Sequence, residues 1–357
     1  MSHPDAAPRP GDVRRAGTPE VDLLVAGAGP AGCATAIRAA LAGLSVVVVE
    51  PRSGPIDKAC GEGIAHSAVE YLTRLGVELS GRPFHGIRYV DATHQVDARF
   101  TAGPGLGVRR TTLQAALLKR LSDLNIPVIQ ARVGPITQNT SSVTAANFTA
   151  HYLAAADGLH SPIRRQLNLS GEKSGEVRRG LRQHFRVSPW TDLVEVYWSR
   201  LGEAYVTPVA DDLVGVAVLT SARGTFDSHL DAFPALKRRL QGAQPASAVM
   251  GAGPLRQRVH ARTAGRVLLV GDAAGYVDAL TGEGIAVALR TSAELVDCIR
   301  ADRPQDYEAA WRRVSWECRL LTASLLWARN RPLLAPRIVP AAAALPAVYR
   351  TIVNRLS

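Results

Sequence analysis

The stretch Val21–Arg52, VDLLVAGAGPAGCATAIRAALAGLSVVVVEPR, decides how this chain is read. Val21–Ala26 is a short apolar run of the kind a buried parallel strand shows. Gly27, Gly29 and Gly32 follow as G-x-G-x-x-G. Pro30 to Leu41 is Ala-rich and helical, Leu44–Val49 is a second buried strand, and Glu50 ends it. Gly27 permits a tight turn, Gly29 lets the backbone approach a pyrophosphate, and Gly32 lets helix and strand pack closely. The helix N-terminus offers free N–H groups and a partial positive charge to the phosphates. Glu50 stands where a carboxylate can accept hydrogen bonds from a ribose 2′-OH. The segment predicts a dinucleotide site for NAD or FAD. A carboxylate at this place would repel the 2′-phosphate of NADP. A glycine-rich turn without a ligand leaves Glu50 unexplained.

Composition bounds the rest. A chain of 357 residues is long enough for two subdomains or one large α/β unit. Apolar residues make up 46% and charged residues 20%, which excludes a largely disordered chain. No apolar run reaches the roughly 20 residues of a spanning helix, and no signal-peptide segment follows Arg14-Arg15. The expectation is a soluble, cytoplasmic protein with a disordered leader over residues 1–19. Cys33, Cys60, Cys298 and Cys318 form no CxxC pair and no zinc spacing, so neither a disulfide framework nor a metal site is expected. The net charge of +11 comes almost wholly from arginine scattered along the chain, with lysine only at Lys58, Lys119, Lys173 and Lys237. That dispersal argues against a nucleic-acid partner.

Two later segments join the first. In HYLAAADGLHSPIRRQL, His151–Leu167, an apolar strand ends at Asp157-Gly158 and a basic helix starts at Ile163-Arg164-Arg165. In GRVLLVGDAAGYVDALTGEGIAVALRTSAELV, Gly265–Val296, strand Val267–Val270 ends at Gly271-Asp272, and Gly282-Glu283-Gly284 opens a long helix. Together the three segments resemble the three FAD signatures of p-hydroxybenzoate-hydroxylase-type flavoproteins, a fold that geranylgeranyl reductases share. DKACGEGI, Asp57–Ile64, and TGEGIAVAL, Thr281–Leu289, resemble the Cys-Gly-rich loop and the flavin-side loop of the reductase branch. The resemblance spans most of residues 21–300.

The resemblance implies an α/β chain: a Rossmann-like FAD-binding domain (GR2-type flavoprotein) with an inserted mixed β-sheet substrate domain and a C-terminal helical segment. It implies FAD as cofactor and NAD(P)H as electron donor. Cofactor contacts fall on Gly27, Gly29, Pro30, Ala31, Gly32, Glu50, Arg52, Arg110, Asp157, Gly271, Asp272, Gly282, Glu283 and Gly284. Glu50 is expected on the adenosine ribose, Asp272 on the ribityl chain, and Gly282–Gly284 near the flavin pyrimidine ring, where a helix start favours the negative charge of reduced flavin. Asp157 and Asp272 also suit plain turn or cap roles. Cys60, Gly61, Tyr205 and Pro208 are the flavin-proximal candidates for catalysis. Tyr205-Val206-Thr207-Pro208 resembles an aromatic-x-x-Pro segment of the reductases but lacks its Trp-x-Phe core.

Between these blocks the pattern changes. Phe84–Ala102 reads as two strands around a polar turn, and RRGLRQHFRVS, LVEVYWSR, EAYVTPVADDLVGVAVLT and PLRQRVHAR read as further strands. Alternation of Leu193, Glu195 and Tyr197 with Val194, Val196 and Trp198 predicts a sheet with unlike faces. Phe226–Gln241 reads as one helix. The FAD-binding domain is expected over 20–83, 106–177 and 257–304, the substrate domain over 84–105 and 178–256, and a helical region over 305–357. Arg182, His184 and Trp198 are the substrate-pocket candidates. The last region, broken by Pro332, Pro336, Pro340 and Pro346, reads as a helical cap over the substrate domain. Peripheral contact with an anionic membrane is the other reading.

The sequence favours an FAD-, NAD(P)H- and O2-dependent monooxygenase acting on a phenolic or polyketide-type small molecule. A reductase of C=C bonds in an isoprenoid or quinone side chain is the alternative.

Overall fold

The computed structural model describes residues 20–172 and 177–356. The leader expected over 1–19 lies outside the described residues. Strand Glu20–Ala26 pairs in parallel with Val46–Val49 on one side and Phe148–Ala155 on the other, at Leu23↔Val46 and Leu23↔Tyr152. Val128–Ile129 and Val267–Leu269 extend the same parallel sheet outward. All four residues of Val46–Val49 are buried valines, and β-branched side chains suit a strand covered on both faces. Helix Pro30–Leu41 crosses from the first strand to the second. Proline stands in its first turn, and Gly43 turns the chain out of it at φ +86. Alanines dominate this helix, which lets it lie close against helix Gly284–Arg300.

The second sheet is mixed. Its order is Gln244–Pro245, Arg179–Arg186, Leu213–Thr220, Gly202–Ala210, Val194–Ser199, Gly86–Val90 and Gln95–Arg99. Neighbours run antiparallel except Val194–Ser199 with Gly86–Val90. A small third sheet, Gly63–Ile64 with Gly105–Gly107 and Arg82–Phe84, lies where the chain passes between the two larger ones.

Three expectations need correction. PLRQRVHAR is no strand; it forms only isolated bridges at Gln257↔Tyr276 and Ser170↔Val259. Residues 226–241 hold two short helices, Phe226–Leu230 and Pro234–Arg239, because Pro234 cannot continue the first. The faces of Val194–Ser199 differ less than the alternation implies. Glu195 is buried, accepting hydrogen bonds from Trp190 Nε1 at 2.8 Å and Tyr197 O–H at 2.7 Å. One face packs on the two short helices; Val194 and Val196 on the other face line a cavity.

The C-terminal segment caps that second face. Helix Tyr307–Arg329 is followed by helices Ile338–Ala344 and Pro346–Leu356. Val339, Tyr349 and Val353 pack with Val96 and Ala98 of the edge hairpin. Arg329 Nε donates to buried Glu203 at 2.7 Å, which ties the long helix to the sheet.

Candidate active site

A cavity of about 650 Å³ runs between the two large sheets and under the C-terminal helices. One end is built by the glycine fingerprint. Gly27 has φ +105, and a Cβ there would lie 2.5 Å from Ala156 O. A Cβ on Gly32 would lie 1.8 Å from Gly27 O. Both glycines are therefore demanded by the protein's own backbone. Gly29 differs. It lines the cavity, and a Cβ there would meet nothing nearer than Arg110 Nη2 at 3.8 Å. The space beside Gly29 is a cradle at a helix N-terminus, the place a pyrophosphate needs.

The surrounding charges fit that group. Lys58 and Arg110 line the cavity, and Arg110 Nε is buried without a hydrogen-bond partner among the described residues. Burial depresses the Lys58 ammonium, and Arg52 and Arg110 depress it further. Burial raises the Asp272 carboxyl, against the pull of Lys58, Arg110 and Arg164. An anion placed among these cations would relieve their mutual repulsion. Asp272 sits in the short turn Gly271–Ala274, and a Cβ on Gly271 would come 2.6 Å from Ala31 Cβ, so the late Gly-Asp segment packs directly on the fingerprint helix. Gly282, Glu283 and Gly284 line the cavity where helix Gly284–Arg300 begins. Burial lifts the Glu283 carboxyl to about 7, opposed weakly by Cys318 and Arg290.

Glu50 and Arg52 lie beyond the cavity's lining. Glu50 is buried; its Oε2 accepts from Ala28 N–H at 3.0 Å, and its Oε1 accepts from Arg52 Nε at 2.8 Å. Burial alone would raise this carboxyl, but those bonds win and hold it below its ordinary value. Asp157 accepts from Ile163 N–H at 3.0 Å and so caps helix Pro162–Gln166, while its Oδ1 is buried without a partner.

The loop Cys60–Gly63 forms the wall between the charged end and the apolar end. Cys60, Gly61, Glu62 and Gly63 all line the cavity. Burial pushes the Cys60 thiol up. Glu62 holds a left-handed φ of 60. Its Oε1 accepts from Arg110 N–H at 2.9 Å, and its Oε2 faces His184 Nε2 at 2.7 Å. Arg182 Nη1 lies 3.0 Å from His184 Nδ1; an arginine can only donate, so Nδ1 accepts and the ring proton sits on Nε2, toward Glu62. Arg182 also pairs with Asp57. From the facing strand, Thr207 Oγ1 donates to Gly61 O at 2.7 Å and Tyr205 O–H donates to Leu280 O at 2.7 Å. Two side chains on one strand face thus catch both the Cys60 loop and the loop before helix Gly284–Arg300.

The candidates divide accordingly. Cys60, Gly61, Tyr205 and Arg182 line the cavity; His184 stands behind Glu62, and Trp198 packs edge-on against Tyr89, centroids 5.2 Å apart. Pro208 is not part of the lining, and its carbonyl lies 1.8 Å from where a Cβ on Gly107 would stand. Sequence reasoning did not select Lys58, Glu62 or Thr207. Lys58 and Glu62 were in view, inside the same DKACGEGI motif that drew attention to Cys60.

A sequence model of an FAD binding domain matches residues 20–113. The menaquinone reductase of Mycolicibacterium smegmatis is 30% identical over 323 residues, spanning 81% of this chain and 79% of that protein. The chain belongs to the p-hydroxybenzoate-hydroxylase-type FAD flavoproteins, the superfamily of the geranylgeranyl reductases. Digeranylgeranylglycerophospholipid reductase 2 of Methanosphaera stadtmanae is 27% identical over 307 residues, 76% of each chain. Among solved structures, p-nitrophenol 4-monooxygenase of Pseudomonas putida superposes with a TM-score of 0.79 over 94% of this chain and 97% of that one, at 18% identity, a likeness of fold. This flavoprotein is an FAD-dependent oxidoreductase whose relatives include both reductases and monooxygenases.

Proposed function

We propose that this flavoprotein saturates C=C bonds of an isoprenoid chain, such as the side chain of a prenylated quinone, with NAD(P)H as the reductant. The observation that carries the reading is the cavity beyond the Cys60 loop. There the lining is aliphatic and aromatic: Phe84, Ile87, Phe100, Val196, Leu325 and Val353 among others. Its hydroxyls are those of Tyr89, Ser324 and Tyr349, and Tyr349 O–H is already donated to Ile87 O at 3.2 Å. Such a lining suits a flexible hydrocarbon and offers little to orient a phenol. Two relatives aligned over most of the chain support this reading by their names, a menaquinone reductase and a digeranylgeranylglycerophospholipid reductase; a 3-hydroxycinnamic acid hydroxylase aligned at 27% identity stands on the other side.

Bound FAD would supply the two-electron chemistry, a hydride for one alkene carbon. Gly29, Lys58, Arg110 and Asp272 would hold it, and the start of helix Gly284–Arg300 favours an anionic reduced ring. The second alkene carbon needs a proton. Burial keeps Cys60 Sγ protonated at neutral pH, so the cavity wall carries an available proton. Thr207 and Tyr205 fix the loops on either side, and the C-terminal helices pack over part of the apolar end.

Anaerobic incubation of the chemically reduced holoprotein with a prenylated quinone, read by mass spectrometry, tests this. Gain of hydrogen without oxygen is the expected result. Product that forms only in air, from a phenol, and carries a new oxygen atom overturns it in favour of hydroxylation.

A further inference from the structure

Exposed large apolar side chains gather on the C-terminal helices. On helix Tyr307–Arg329, residues Trp316, Leu320, Ala323 and Trp327 recur at i, i+4, i+7 and i+11 and share one face. Trp316, Leu320 and Trp327 are 59%, 53% and 56% exposed. They are not the residues that line the cavity; Leu321, Leu325 and Ala328 are. Leu333, just past the helix, is 77% exposed. Leu345, just before the last helix, and Val348 and Ile352 on it are both exposed and part of the cavity lining, so they form its mouth. Arg355 lies 3.8 Å from Glu317, which sets the last helix alongside the long one and the mouth beside the tryptophan row.

Glu317, beside Trp316 and met by Arg355, is the one carboxylate next to the tryptophan row among the described residues. From Cys318 to the end of the chain there is no Asp or Glu, against Arg319, Arg329, Arg331, Arg337, Arg350 and Arg355. Arg329 is engaged inward by Glu203. Arg319, Arg331, Arg337 and Arg350 are exposed and, among the described residues, have no carboxylate within ion-pair distance. Arg331 stacks over the Trp327 ring at 4.0 Å.

We propose that this face seats the protein on an anionic phospholipid bilayer, with the cavity mouth at the lipid surface, so that a membrane-borne hydrocarbon chain enters without crossing water. Tryptophan and arginine together suit the headgroup boundary: the ring is apolar with a polar edge, and the guanidinium meets lipid phosphate. A second copy of the chain fits worse. A two-fold contact through this face would set arginines against arginines and close both mouths. The choice of an isoprenoid as cargo rests on the reductase reading; the seating does not.

The test is flotation of the FAD-loaded protein with vesicles of phosphatidylglycerol and phosphatidylcholine, and with phosphatidylcholine alone. The expected result is binding to the anionic vesicles that weakens with salt. Partitioning should fall roughly tenfold for each of Trp316→Ser and Trp327→Ser, and several-fold for Arg331→Glu with Arg337→Glu. Neither tryptophan lines the cavity, so turnover of a detergent-dispersed isoprenoid should be unchanged in those variants. Absence of flotation with anionic vesicles overturns the proposal. So does a wild-type dimer in sedimentation analysis that the tryptophan substitutions dissolve, which would make the face a contact between copies. Vesicle binding without reduction of any prenyl chain counts against the reductase reading alone. Reduction in detergent without vesicle binding counts against the seating alone.

Discussion

Gly29→Val separates the needs of the cofactor from the needs of the fold. Gly29 has φ −73 and ψ 177, extended backbone that any residue adopts, and a Cβ there has no neighbour closer than 3.8 Å. The cost to folding is that of a poorer helix cap, about 1 kcal/mol. The added methyl groups fill the cradle where N–H groups would face a phosphate. Hydrogen bonds to a charged group contribute about 1.5–3 kcal/mol each, so loss of two weakens FAD by about 3–6 kcal/mol, roughly a hundredfold to ten-thousandfold. Gly32→Ala is the control with the opposite outcome: its Cβ would stand 1.8 Å from Gly27 O, so the strand–helix turn itself must give way. The assays are visible flavin absorbance per mole of purified protein, titration of apoprotein with FAD, and melting by circular dichroism. Gly29→Val should melt within a few degrees of wild type yet come off the column pale, whereas Gly32→Ala should fail to fold. A folded Gly29→Val protein with wild-type affinity for FAD refutes the cradle.

Asp272→Ala should lower flavin retention more than it lowers the melting temperature of the apoprotein, because the carboxyl lies in the cavity wall among Lys58, Arg110 and Arg164; normal flavin content would remove its assigned role. Glu283 is buried with its carboxyl raised from 4.5 to about 7, so the native state holds the proton more tightly than the unfolded chain. Stability from this group is fullest below 4.5 and falls as pH rises to about 7; Glu283→Gln should flatten that slope in the apoprotein and stabilise it above by about 3 kcal/mol, read from urea midpoints across pH. Glu62→Ala leaves Arg182 and His184 buried without their shared carboxylate and should cost about 3–5 kcal/mol in the same assay, and a loss under 1 kcal/mol would show the network to be slack.

What the sequence discloses follows the range of the interactions involved. The fingerprint turn is legible because Gly27 and Gly32 answer to atoms a few residues away or just past the adjacent strand, while Gly29 answers to space left for a ligand. Strand alternation misled at Val194–Ser199, where burial of Glu195 depends on Trp190 and on helices that follow much later in the chain. PLRQRVHAR alternates like a strand, yet its side chains bond outward, Arg262 to Glu308 at 2.9 Å and Gln257 to Arg164 at 2.8 Å, and its backbone finds no continuous partner. Pro234 was the one signal printed in the sequence that should have split the helix. Glu62 stands inside a motif the sequence singles out, but its role is not legible there: its partners are 48 and 122 residues away, and only folding brings Arg110 and His184 to one carboxylate.

That carboxylate explains why the Cys60 loop can serve two sheets at once. One oxygen holds the N-terminus of helix Arg110–Asp123, which carries the Arg110 guanidinium toward Gly29. The other holds His184, whose strand lies in the mixed sheet. Gly215 on the adjacent strand makes room, since a Cβ there would come 2.8 Å from Glu62 Oε2. The loop reaches this position by placing a non-glycine residue at φ 60, a strain worth about 1–3 kcal/mol that persists only because both ends are bonded. Replacing Gly215 by alanine should therefore act at a distance. It displaces the carboxylate, frees the loop from the sheet, and loosens Arg110 at the cofactor end. The expected signature is weaker FAD binding from a substitution that does not itself line the cavity, measured against Gly251→Ala on strand Met250–Ala252 of the same sheet, also outside the lining, where the nearest atom to a new Cβ is the Leu181 side chain at 3.3 Å. Equal flavin affinity in the two variants would mean that the loop and the sheet are not coupled through Glu62.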